Sequence, residues 1–195
     1  MPGFREEGDY DRAREVLQAA DFSEAAIGQV IGRTDIYRMP SSDVPHVLRR
    51  AREPSRLHTL IRLYFLGLPV PEDEVRSALA PVPLEVWVEG GLLAPPDRHG
   101  QVEPLVQIWP VAGRLVAVDL PWRRPAAPPP DFVVPPGPLT LQLAHVMAHG
   151  PCEKVLDLGT GSGLLALLAA SDAQTVVATD TNPRAVGFTR FNARL

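Results

Sequence analysis

"VLDLGTGSGLLAL", Val155 to Leu167, joins an apolar run, three glycines at alternate positions and a second apolar run. The first run has the length of a buried strand. The second stays apolar on every side from Leu164 to Ala170, as a helix pressed against a sheet does. Thr175 to Thr179 reads as a second, β-branched strand ending in Asp180, and Pro183 to Ala193 as a second helix. Strand, helix, strand, helix at this spacing predicts a βαβ unit and a parallel α/β sheet. A helix over Thr140 to His149 precedes it, with Leu141, Ala144, His145 and Ala148 available for one face.

Bare backbone between a strand and a helix serves either a ligand pressed against the main chain or a tight turn with no ligand. Asp180 favours the first, because an acid at the end of the second strand can accept hydrogen bonds from ribose hydroxyls, and it lies 21 residues beyond Gly159. A pyrophosphate dinucleotide calls for G-x-G-x-x-G. The run here is Gly159-x-Gly161-x-Gly163, preceded by Asp157, whose charge repels a pyrophosphate and suits an ammonium group. S-adenosylmethionine carries an ammonium, a sulfonium and a ribose without a phosphate, so the charge pattern favours it over NAD. Thr160 and Ser162 fit helix capping as well as ligand contact.

With these residues in view, the region resembles the class I S-adenosylmethionine-dependent methyltransferases. "VLDLGTGSG" is similar to their first motif, and "ATDTNPRAVGFTRFNARL" to their second-strand acid and following helix. "FVVPPGPLTLQLAHVM" is similar to the segment before the first motif in small-domain N-methyltransferases, the release-factor glutamine and rRNA guanine enzymes. The resemblance covers about residues 131 to 195. It implies S-adenosylmethionine as cofactor, held by Gly159 and Gly161 through the backbone, with Gly163, Thr160 and the residues around them. It places Asp157 at the methionine end, Asp180 on the ribose, Thr181 and Asn182 beside the adenosine, and Thr140 near the methionyl carboxylate. The implied substrate is macromolecular, a release factor or a ribosomal or transfer RNA.

The chain departs from that family after its second strand. The family's sheet has seven strands, and its N-methyltransferases hold the target nitrogen with an Asn-Pro-Pro-aromatic motif after the fourth. "TNPR" follows the second strand and continues into Arg184, so it does not take that place. No catalytic residue is therefore named, and the 195 residues are expected to be the N-terminal piece of a longer enzyme with a bare edge on its first strand. The rivals are a small-molecule O-methyltransferase and a non-catalytic cofactor- or DNA-binding module.

Upstream, apolar spacing predicts helices over Tyr10 to Ala20, Glu24 to Ile31 with Ser23 as N-cap and Gly32 as stop, around Val44 to Ala51, and through Leu57 to Leu68. "PVPEDEVRSALA" and "PLEVWVEGGLLAP" add two short helices. "PLVQIWPVAGRLVAVDLPW" then reads as two strands turning at Val111 to Gly113. Helix, short helix and hairpin is the order of a winged-helix module. The predicted organisation is a mainly helical, winged-helix-like domain over 1–120, a Pro-rich linker over 121–138, and the start of a Rossmann-like methyltransferase domain over 139–195. Glu85 and Glu89 on the helix that would enter a DNA groove, and acids outnumbering arginines before the linker, disfavour reading of DNA. Trp122, Arg123 and Arg124 can grip a nucleic acid, although a spacer hugging its own domain explains them more simply.

Composition bounds the rest. The net charge is −4, with 45% hydrophobic and 22% charged residues, an ordinary globular balance that opposes bulk electrostatic binding of nucleic acid. Cys152 is the one cysteine, which excludes an internal disulfide. His145 and His149 share a helix but lack a third ligand nearby, so no metal is expected. No signal peptide or membrane span is evident, and the expected location is cytoplasmic.

Overall fold

The computed structural model describes residues 1–120, 129–147 and 150–195. Trp122, Arg123, Arg124, Ala148 and His149 lie outside the described residues. The fold is mixed α/β, with helices first and small sheets after.

Helices α1 (Glu7–Ala19), α2 (Glu24–Ile31), α3 (Val44–Arg50) and α4 (Arg56–Leu60) build the first layer. Local chemistry fixes their ends. The Ser23 hydroxyl accepts from the Ala26 N–H at the start of α2, and Gly32 closes it with φ 75°. Ser55 caps α4 on His58 in the same way. The predicted stripe from Leu57 to Leu68 changes character halfway. Ile61–Phe65 is a π-helical turn, in which the Leu66 N–H donates to the Ile61 carbonyl at 2.8 Å. Ile61, Leu63, Tyr64 and Phe65 are all buried there, so the segment runs through the core rather than along it.

A short strand β1 (Val70–Pro71) leads into α5 (Glu72–Leu79) and α6 (Leu84–Glu89), and β2 (Gln101–Val102) returns antiparallel to β1. Leu93 bridges Pro104, and the Ala94 N–H donates to the Glu103 carbonyl, so residues 93–104 form a small ribbon. Asp97 closes its tip by accepting from the His99 and Gln101 N–H groups. Those two bonds hold the exposed Asp97 carboxyl below its ordinary range.

The hairpin expected over 105–119 is present as β3 (Val106–Val111) and β4 (Arg114–Asp119), but it does not project as a wing. On one face Val106, Ile108 and Ala117 join the main core. On the other, Val111, Val116 and Val118 pack with Leu164 in a second cluster. Nearly continuous apolar sequence is the reason: both faces need cover.

After residues 129–137, α7 (Pro138–Val146), β5 (Cys152–Leu158), α8 (Leu164–Ala169), β6 (Ala173–Thr179) and α9 (Pro183–Asn192) follow in the predicted order. β5 and β6 are parallel, with Val155 opposite Val176 and Leu158 opposite Thr179. α9 places Ala185, Phe188 and Phe191 in the same core as α1 and α6, with the Phe191 ring 5.5 Å from Tyr10 and 5.9 Å from Phe4. α7 contributes no buried residue, and Leu139 and Val146 are exposed. No helix among the described residues is long and apolar enough to cross a membrane.

The β3–β4 turn carries a local strain. Ala112 has φ 47° and Gly113 φ 75°, the pair of left-handed residues that a two-residue hairpin loop requires, and a Cβ disfavours that region. Ala112→Gly keeps the N–H that donates to Glu24 Oε2 at 2.7 Å and removes the Cβ. The expected outcome is a gain of about 0.5–1 kcal/mol in urea unfolding.

Candidate functional site

The glycine run forms the turn between β5 and α8, at the C-terminal ends of two parallel strands, where ligands of open α/β sheets bind. Gly159, Gly161 and Gly163 have φ 74°, 57° and 86°, so all three use the left-handed region. Their surroundings differ. A Cβ on Gly159 or Gly161 would meet nothing within 4 Å, whereas one on Gly163 would lie 2.8 Å from Thr189 Cγ2. Gly163 is bare so that α9 can approach. Gly159 and Gly161 are bare and face open space.

The turn is pinned from several sides. The Thr179 carbonyl at the end of β6 accepts the N–H groups of both Gly159 and Thr160, at 2.8 and 2.9 Å. Asp180, the next residue, accepts from the Gly161 N–H through one carboxylate oxygen and from the Asn182 N–H through the other, each at 2.9 Å. Asp157, at the end of β5, accepts from the Thr160 hydroxyl at 2.7 Å. Asp157 and Asp180, both half-buried, thus flank the turn. Neither forms an ion pair among the described residues. The arrangement offers carboxylates to a cation or a hydroxyl and repels a pyrophosphate.

The remaining expected residues divide. Thr160 is buried and spends its hydroxyl on Asp157. Asn182 caps α9 by accepting from the Arg184 N–H, and its amide donates to the Asp131 carbonyl. Thr181 is exposed beside Asp180. Thr140 sits in the first turn of α7, with no hydrogen bond to the glycine turn among the described residues. His145 turns back on its own helix, Nδ1 lying 2.7 Å from the Leu141 carbonyl. No cluster of three or more His, Cys, Asp or Glu able to hold a metal occurs among the described residues.

Sequence reasoning missed Thr189 and Asn192. The Thr189 hydroxyl donates to the Gly161 carbonyl at 3.2 Å, and Asn192 Nδ2 to the Ser162 carbonyl at 2.8 Å. Their signal was two polar residues at helical spacing beside Phe188 and Phe191, on the face of α9 that becomes buried. Two hollows, of about 710 and 470 Å³, lie along the α1–α2 layer and the hairpin tip, and neither is lined by residues 157–163.

The two kinds of glycine are separable by substitution. Gly161→Ala meets only the left-handed backbone penalty, about 1–2 kcal/mol, whereas Gly163→Ala adds a clash with α9 and costs roughly 3 kcal/mol or more in thermal unfolding.

Comparison with known proteins finds two matching families. Residues 19–104 match the family described as domain of unknown function (DUF7059). Residues 139–195 match the family described as ribosomal protein L11 methyltransferase (PrmA). The ribosomal protein L11 methyltransferase of Rhodopseudomonas palustris (strain BisB5) is 50% identical over 60 residues. Those residues are 30% of this chain and 20% of that relative, so the chain spans a small part of the protein it matches. The strand–turn–helix segment is therefore similar to a methyltransferase domain.

Proposed function

We propose that the β5–α8 turn binds S-adenosylmethionine and that the chain belongs to a methyltransferase acting on a nitrogen of a macromolecule. The observation that carries this reading is the pair of open, left-handed glycines, Gly159 and Gly161, set between two carboxylates that form no ion pair among the described residues. Bound there, the cofactor supplies a methyl group made electrophilic by its sulfonium.

The chain's own residues bind and orient. Gly159 and Gly161 admit close approach to the main chain, as no side chain stands in the way. Asp157 takes the amino group at the methionine end. Asp180 is held by two backbone N–H groups and presents its remaining lone pairs to the ribose hydroxyls. Thr181 and Asn182 border the adenosine and Thr140 the methionyl carboxylate. Asn182 contributes its position, because its side chain is engaged by α9 and Asp131.

The N-terminal region presents the substrate. α4, β1, α5, α6 and the 93–104 ribbon follow one another in the order of a winged-helix module, with the ribbon in the place of the wing. Glu85 and Glu89 on α6 are engaged by Arg76 and Arg5, which leaves that helix without the free positive charge that DNA binding uses. The relative's name points to a protein acceptor. Neither a release factor nor an RNA has support from the fold or the comparisons.

Calorimetric titration tests the reading. S-adenosylmethionine is expected to bind and NAD not to. Asp180→Ala is expected to weaken binding by about tenfold or more, the worth of hydrogen bonds to a charged group. Preferential binding of NAD, or unchanged affinity in a folded Asp180→Ala variant, would overturn it.

A further inference from the structure

Asn192 is a polar residue in an apolar place. It lies on α9 between Phe188 and Phe191 on one side and the hairpin on the other, and is 4% exposed. Its amide is fully engaged. Oδ1 accepts from the Ala117 N–H at 2.8 Å, and Nδ2 donates to the Ala117 carbonyl at 2.9 Å and to the Ser162 carbonyl at 2.8 Å. Both side-chain N–H groups and the oxygen are thereby used.

Two features of this geometry matter. Ala117 stands opposite Ile108 in the β3–β4 ladder, yet its N–H and carbonyl both turn to Asn192. They therefore point off the outer edge of β4, and the side-chain amide serves that edge as a neighbouring strand would. The third bond goes to the glycine turn. One helical turn earlier, Thr189 bonds the Gly161 carbonyl. Together they draw two successive carbonyls of the turn toward α9. In a trans peptide the N–H points opposite to the carbonyl, so the Ser162 N–H is turned away from α9. Among the described residues the Thr189 hydroxyl bonds only the turn, whereas Asn192 holds the turn and the hairpin through one rigid amide.

We propose that Asn192 is a positioning residue that sets the shape of the cofactor turn from β4, so that ligand affinity at the turn depends on how the hairpin is docked. The inference rests on the S-adenosylmethionine reading. The hairpin is packed on the α4 region, where Gln107 donates to the Phe65 carbonyl at 2.9 Å. A change in how the N-terminal layer seats therefore has a direct route to residues 161–163.

The test uses the whole chain and three variants. Asn192→Asp keeps the shape and loses both donors, and Asn192→Ala removes the amide without burying a charge. Phe188→Leu loosens the same helix while touching neither bond. S-adenosylmethionine affinity by calorimetry and backbone hydrogen exchange are measured on samples with native circular dichroism. The expected result is affinity weakened about tenfold in Asn192→Ala, with faster exchange across residues 159–163, and both close to wild type in Phe188→Leu at a comparable loss of Tm. Wild-type affinity in the Asn192 variants, or equal weakening in Phe188→Leu, overturns the positioning role. If the wild-type chain does not bind S-adenosylmethionine, the cofactor reading falls separately. Exchange then decides: faster exchange of the turn in Asn192→Ala upholds the coupling to β4, and unchanged exchange overturns it.

Discussion

Burial of α9 is the constraint on which the rest of the structure depends. A helix that sinks Ala185, Phe188 and Phe191 into a core shared with α1 and α6 must also find partners for every polar group on that face. Leaving one buried donor or acceptor unmatched costs about 1–3 kcal/mol, comparable to the gain from burying a large side chain. Thr189 and Asn192 meet the requirement by bonding the glycine turn and β4. At the other end of the helix, Arg184 pairs with Asp119 at the end of β4 and reaches Asp131. Asp119 in turn accepts from the Val133 N–H at 2.8 Å. The same bonds that allow burial therefore join regions that a proline-rich stretch separates in sequence.

Local chemistry was legible before the structure. Ser23 and Gly32 delimit α2 because a hydroxyl acceptor and a left-handed residue satisfy helix ends wherever they occur. The turn, expected over Val111 to Gly113 and found at Ala112 and Gly113, and the order strand, helix, strand, helix followed from periodicity and turn residues. What could not be read depends on distant partners. The π-turn at Ile61–Phe65 arises where the chain crosses the core, and the apolar stripe looks the same in either helix type. The hairpin was recognised, but its burial on both faces was not, because much of its cover, from the π-turn, α8 and α9, comes from elements more than forty residues away. The ribbon over 93–104 escaped notice for the opposite reason: its strands are too short to show alternation.

The site divides in the same way. Alternate glycines after a strand announced a bare turn, open to a ligand or to a tight connection. In space the three glycines differ. Gly163 is fixed by Thr189 across a helix contact, and Gly159 and Gly161 face outward. Asp180 was expected at a ligand, yet it also holds Gly161 and Asn182. Charge and shape at the turn are consequently inseparable, since the carboxylate that would meet a ribose is the one that fixes the backbone beside it.

The surroundings of the turn bear on how strongly those charges act. Leu158, directly before Gly159, is 74% exposed, and Leu156 and Val177 on the strands beside it are at least half exposed. On α7, Leu139, Leu143 and Val146 are exposed as well. Carboxylates next to open water interact weakly with a cation, because solvent screens them; the same carboxylates under an apolar layer interact several times more strongly. Side chains alternate along a strand, so Leu156, Leu158 and Val177 lie on the face opposite Asp157, and a layer over them would gain their burial without covering that carboxylate. The turn supplies the shape, and cover on the Asp157 face of the strands would set the strength.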